Sequence, residues 1–187
     1  DEAYALITPD ALLTEFPEKL NYDIRHLDRG DFLNEIPCHV EGLKSDAWIH
    51  RSAKVSPLAV ISCEEGPVIV DQNARISAFC ILNGPLYIGR DCILDRVMMS
   101  NSRAGKSCRL GGEISDSMIG DFTNKHHEGF LGHSIVGDWV NLGALTTTSD
   151  LKNNYGEIKL EYGHRKFHTG RIKFGGIIGD YVKTGIG

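Results

Sequence analysis

From Trp48 onward the aliphatic residues of this chain fall on a step of six. Ile49, Val55 and Ile61 open the series, and after an insertion Val70, Ile76, Leu82, Ile88 and Leu94 continue it without a break. Val136 and Leu142 repeat the step further on, and Ile119 and Ile178 each open an I-G-D tripeptide. Small residues follow several anchors by four positions: Ala53, Ala59, Ala74, Cys80 and Cys92. A helix repeats every 3.6 residues and a half-buried strand every two, so neither sustains a step of six. A fixed short period marks a stacked solenoid, and six is the period of the hexapeptide parallel β-helix. Each hexad supplies a short strand and a corner. The aliphatic side chain points inward onto its counterpart one coil away, and glycine or aspartate turns the corner. The pattern predicts an all-β domain over residues 46–187, a prism roughly 30 Å tall at about 4.8 Å between stacked strands.

Two stretches stand outside the beat. Residues 1–45 carry no repeat. There "TPDALLTEF" reads as a helix start, with Thr8 or Asp10 as cap before Leu12, Leu13 and Phe16, and "NYDIRHLDRGDFL" as an irregular lead-in. Residues 146–176 are polar, aromatic and basic, which in a solenoid reads as one long loop thrown off an edge. The chain opens without an initiator Met and closes in the middle of a patterned run, so it is expected to be a piece of a longer protein, with 1–45 the link from a preceding domain.

Composition narrows the classes without naming one. At 187 residues the chain is long enough for a real core, and its net charge of -5 argues against a general nucleic-acid binder. No apolar run reaches bilayer-spanning length and no signal peptide opens the chain, so a cytoplasmic protein that does not enter the membrane is expected. The five cysteines are odd in number and include no C-x-x-C pair. They read as small packing residues in a reducing compartment.

Candidate chemistry gathers around "NKHHEGFLGHSIVGDWVNLGA", where His126 and His127 stand beside Glu128. Transfer of an acyl group to an amine needs a base, and histidine titrates near neutral pH. "SNSRAGKS" imitates a phosphate loop, but Ser100 stands where that loop needs glycine, and no strand and helix flank it. Arg103 remains a candidate for holding a phosphate from a corner. Arg165, Lys166 and Lys173, in the edge segment, form a better anion-binding set.

The run "GGEISDSMIGDFTNKHHEGFLG", followed by "NLGA" and "DLKNNYG", resembles the C-terminal domain of the bifunctional N-acetylglucosamine-1-phosphate uridylyltransferase / glucosamine-1-phosphate N-acetyltransferase family. It is closer still to a branch of sugar nucleotidylyltransferases carrying that domain. The motifs concentrate in residues 103–187, and the hexads extend the likeness over 48–102. The resemblance implies a left-handed β-helix, a homotrimer with sites between subunits, and a nucleotidylyltransferase domain that alone needs Mg2+. It implies acetyl-CoA as cosubstrate and an amino-sugar 1-phosphate as acceptor, with the pantetheine-binding coils beyond Gly187.

Residue by residue, the likeness gives His127 as general base, ahead of Phe130-Leu131-Gly132. Lys125 lies in the preceding corner, Glu113 matches an acid near the sugar, Asn141 a residue touching the acceptor, and Lys173 a lysine on the sugar phosphate. Asp150 stands where bifunctional members have asparagine, Phe130 where they have tyrosine, and Leu145 where they have glycine. Asp150 and Phe130 are nonetheless expected to line the sugar site, and Trp139 to lie against a neighbouring subunit. A metal would need His127 and His133 with a third ligand from His50, His164 or His168. The close H-x4-H pair of the carbonic anhydrases built on this fold is missing, so none is expected. The rival reading is a trimerising or regulatory scaffold with no acyl transfer of its own.

Overall fold

The computed structural model describes residues 10–187 apart from 25 and 34, and the chain winds into a parallel β-helix. Three columns of short strands form its three faces. The first face stacks seven rungs, beginning with Ala47–Ile49 and Val68–Val70 and ending with Ile135–Val136 and Ile177–Ile178. The second begins at Lys54–Val55 and passes through Asn124–Lys125. The third runs from His39–Glu41 to Phe130–Gly132. The first rung at His39–Glu41 lies inside the segment expected to be lead-in, so the solenoid starts earlier than residue 46.

The six-residue anchors are the interior. Ile49, Val70, Ile88, Ile119 and Val136 line the inner side of the first face, Ile76, Leu94 and Leu142 the second, and Ile61 and Leu82 the third, all of them buried. Side chains alternate across a strand, so the residues on either side of each anchor point outward. Cys63, Cys80, Cys92 and Cys108 are buried free thiols, and Cys38 is half-buried.

The I-G-D tripeptides and the related Val136-Gly137-Asp138 have a specific task at the corner leading from the first face to the second. The Asp121 carboxylate accepts the N–H of Lys106 at 3.0 Å, Asp138 that of Asp121 at 2.7 Å, and Asp180 that of Asp138 at 2.8 Å. Each aspartate thus satisfies a backbone donor of the coil before it, which would otherwise be left unpaired at the turn. A Cβ on Gly120 or Gly137 would strike the capping carboxylate of the next coil, which is why glycine precedes aspartate there. Asp138→Ala removes one such bond. It is expected to cost about 1 kcal/mol and to lower Tm by roughly 2–4 °C, measurable by calorimetry.

The helix Asp10–Ile24 includes Asp10 as its first residue rather than as a flanking cap; Thr8 lies outside the described residues. Phe16 and Leu20 of this helix pack on Trp48 and Ile69, which point outward from the first face, so the helix closes an apolar stripe there. The edge segment is more ordered than a plain loop. Residues 146–150 still follow the coil, with the Thr148 N–H on the Phe130 carbonyl at 2.9 Å. Beyond them Lys159–Tyr162 and Arg165–His168 form an antiparallel hairpin. No helix among the described residues is long and apolar enough to cross a membrane.

Candidate active site

His127 sits at the corner between the second and third faces. Asn124–Lys125 leads into this turn and Phe130–Gly132 leads out of it. One coil earlier the same corner is Gly111-Gly112, because Lys125 pairs with Leu110 and Phe130 with Glu113. A Cβ on Gly111 would strike the His126 carbonyl, and one on Gly112 would lie 2.8 Å from the Gly129 oxygen and 3.0 Å from Lys125 Nζ. The two glycines of "GGEI" are therefore the floor on which the histidine turn rests.

Lys125 is not a surface ligand-binding residue. It occupies an inward anchor position in the column of Leu94, Leu110 and Leu142, and only 2% of it is exposed. Its ammonium donates to the carbonyls of Gly129 at 2.7 Å, Gly111 at 2.9 Å and His127 at 3.2 Å. Those three bonds use every donor it has. Burial pushes its pKa down to about 8, against smaller opposing effects of Glu128 and Glu113. The expectation that Lys125 binds substrate is thereby corrected: it ties the backbone on both sides of the histidine turn to the coil before it.

The His127 ring is exposed and lines a small cavity of about 200 Å³ with Asp95, Arg96, His126, Glu128 and Leu145. The neighbouring His126 ring meets it nearly edge-on at 5.5 Å, and His126 Nδ1 is buried with no hydrogen-bond partner. Arg96 pairs with Asp95 at 3.1 Å. Ser77 donates to the same carboxylate at 2.8 Å, and that bond is the main reason its pKa lies below the usual range. The cavity thus holds an imidazole, a carboxylate at Glu128 and a guanidinium.

The third face carries a second group of the expected residues. Glu113 and Phe130 are paired rungs, and the Phe130 ring and the Asp150 carboxylate both cover Gly132, where a Cβ would strike them. Asp150 Oδ2 meets His133 Nδ1 at 2.7 Å, and Asp116 Oδ2 lies 3.6 Å from the other ring nitrogen. Asn101 donates to Asp116 at 2.7 Å, completing a polar column at the next corner. Lys173 is brought beside this group by an antiparallel bridge to Leu151.

The remaining expected residues lie elsewhere in the same chain. Asn141 faces outward from the second face, where it accepts from the Asn124 amide at 2.9 Å. Arg103 stands mid-strand on the first face between Tyr87 and Met118, and not at a corner. Lys166 pairs with Glu161 at 2.8 Å on the hairpin surface. Arg165 pairs with Tyr162 in that hairpin, and its side chain lies outside the described residues. His127 and His133 occupy different corners. Trp139 is exposed at a further corner and stacks on Phe122 at 4.4 Å.

No family model matches the chain. Among curated proteins, the bifunctional sugar-1-phosphate nucleotidylyltransferase/acetyltransferase of Sulfurisphaera tokodaii is 29% identical over 90 residues, 48% of this chain and 21% of that protein. The bifunctional protein GlmU of Methanococcus vannielii is 36% identical over 103 residues, 55% of this chain and 23% of its own length. That of a Cyanothece species aligns over 182 residues, 96% of this chain, at 26% identity and 33% of its own length. The chain is similar to GlmU proteins over part of their length. It spans between a fifth and a third of the length of these relatives. The cyanobacterial alignment covers almost the whole chain, so the likeness to GlmU extends to most of the segment before the hexads as well.

The sequence does not single out Arg96, Asp95 or Asp116, and it offers His133 only as a candidate metal ligand. Arg96 and Arg103 lie on one continuous strand, Ile93–Ala104, and only the turns within it separate a residue beside His127 from one on another face. Those turns are made at Arg96 and Asn101 with φ of +46° and +41°, and neither is glycine, so nothing in the sequence marked them.

Proposed function

We propose that this chain is the acyl-transfer part of a sugar-1-phosphate nucleotidylyltransferase, moving an acetyl group from acetyl-CoA to the amine of an amino-sugar 1-phosphate. The observation that carries the reading is an exposed imidazole at a fixed corner, with a carboxylate and a guanidinium in the same cavity. His127 removes a proton from the amine as its nitrogen bonds to the thioester carbon. The carbon–sulfur bond then breaks and CoA leaves as the thiol. Glu128 balances the charge that develops on the ring, and Arg96 is the cation placed to meet the sugar phosphate. Glu113, Phe130 and Asp150, on the adjoining third face, orient the sugar, with Lys173 at their edge.

A homotrimer completes the site in this reading. Leu58, Phe79, Ile81 and Met98 are exposed apolar residues on the third face and the corner that carries His127 further along, and Leu145 is exposed beside His127 itself. Packing this surface against a second copy brings residues of other faces, Asn141 among them, to the His127 groove. The same separation of Asn141 and Arg103 from His127 within one chain favours the second reading, a β-helix that assembles the enzyme without acyl transfer. One assay separates the two: release of free thiol from acetyl-CoA in the presence of glucosamine 1-phosphate. Release above the acceptor-free background is the expected result, and its absence in the full-length enzyme leaves the scaffold.

A further inference from the structure

A second cavity lies on the coils before His127 and shares Asp95 and His126 with the His127 pocket. It measures about 740 Å³, within the range of small-molecule sites. Its outer wall carries Lys54 and Arg75, which are paired rungs of the second face. Neither has a carboxylate within ion-pair distance among the described residues, although both face a common groove. Ile93, the next rung of the same column, and Pro37 give the groove an apolar patch. Asp95 and His126 line this groove and the His127 pocket alike, so they form the threshold between the two.

The charges at that threshold are already accounted for. Asp95 is the acid facing the groove, and it is neutralised by Arg96 and held by Ser77. His126 Nδ1 is buried there and unpartnered, an orphan polar atom that a ligand crossing the threshold can satisfy. Two unpaired cations one rung apart, beside an apolar patch, form a site for a run of phosphate followed by a flat ring. A sugar 1-phosphate whose amine reaches His127 ends at Arg96 and leaves the groove empty.

We infer that the groove of Lys54, Arg75 and Ile93 binds a nucleoside diphosphate, so that the preferred acceptor at His127 is a nucleoside-diphosphate-linked amino sugar. The inference rests on the placement of the amine at His127 given above. Arg96 and Arg75 hold the two phosphates, Lys54 closes the anionic end, and the nucleoside lies on Ile93 and Pro37.

The test is calorimetric titration of the 187-residue chain with UDP-glucosamine and, separately, with glucosamine 1-phosphate, for wild type and the double variant Lys54→Glu, Arg75→Glu. Both substituted residues face solvent, and an unchanged Tm confirms that the variant folds. UDP-glucosamine is expected to bind at least tenfold tighter than glucosamine 1-phosphate, and the double variant to lose that advantage while keeping its affinity for the sugar phosphate. Equal affinity of the two ligands, or an advantage that survives the double variant, overturns the inference. Thiol release with each acceptor then separates the two claims. Acetylation of glucosamine 1-phosphate with no nucleotide advantage leaves the proposed function standing without the groove. Charge-dependent binding of UDP-glucosamine without any thiol release keeps the groove and removes the acyl transfer.

Discussion

Replacing His127 with alanine is expected to lower acyl transfer by about 10²–10⁴, the range supplied by a positioned general base, while leaving the fold intact. The side chain is exposed and makes no hydrogen bond to the protein in the described structure, so its removal opens no cavity. The bond to residue 127 that matters for the turn runs from Lys125 to the backbone carbonyl, and alanine keeps it. Initial rates of thiol release and a thermal melt on the same preparation check both halves. A variant that retains wild-type turnover removes the base from His127, and one that melts markedly lower assigns the residue a packing role.

Lys125→Met is expected to have the largest effect on stability, and that effect depends on pH. Methionine matches the length of the stem but leaves three carbonyls without the ammonium that joins them. An orphaned buried acceptor costs about 1–3 kcal/mol, offset near neutral pH because the variant also avoids burying a charge. The pH dependence follows from the shift. In the folded chain Lys125 titrates at about 8, and in the unfolded chain at about 10.4. Between those values the unfolded state binds more protons, so rising pH stabilises the wild type. The contribution is full above the unfolded value and is lost as pH falls through 8. At about 1.4 kcal/mol per pH unit, the wild type should gain up to about 3 kcal/mol on the variant between pH 8 and the unfolded value. Denaturant titrations of both proteins at pH 7 and pH 10 measure it. A stability difference that stays flat across that interval contradicts the buried clamp.

The same lysine shows how far the fold could be read from the sequence. The step of six was plain where each coil has three full corners, as from Val70 to Leu94. In the following coils the inward positions are Met99, Ala104, Leu110, Ile114, Ile119, Lys125, Leu131 and Val136, at spacings that vary from four to six residues. Corners there lose residues, and the period dissolves although the stacking continues. Inward polar residues hide it further. Lys125 replaces an aliphatic anchor, and Ser102, Ser117 and Ser134 form a buried hydroxyl column. Ser102 and Ser117 each accept the N–H of the serine in the next coil, at 2.9 and 3.1 Å. A buried polar group is legible only through its partners, and the partners lie fifteen or more residues away.

The site was legible to a similar depth. The histidine turn was found because its spacing to Phe130-Leu131-Gly132 is local. Asp150 and Lys173 are each assigned to the sugar by the resemblance alone, and what brings them to the same edge, a segment that leaves and rejoins the coil beside His133, is not local. The sequence offers His133 only as a metal ligand, whereas the structure gives it two carboxylates and a role at the base of that segment. Glu113 was expected near the sugar from its motif, and the register puts it on the rung beneath Phe130. The face on which a side chain emerges depends on each corner before it, so one unmarked turn at Arg96 was enough to send attention to Arg103.

The most direct measurement is a crystal structure of the chain with glucosamine 1-phosphate and CoA. The account predicts the sugar amine within hydrogen-bond reach of the His127 ring, about 3 Å, its phosphate on Arg96, and a neighbouring copy closing the groove. A ligand bound at another face, or a His127 ring left in open solvent with no second chain against it, contradicts the account.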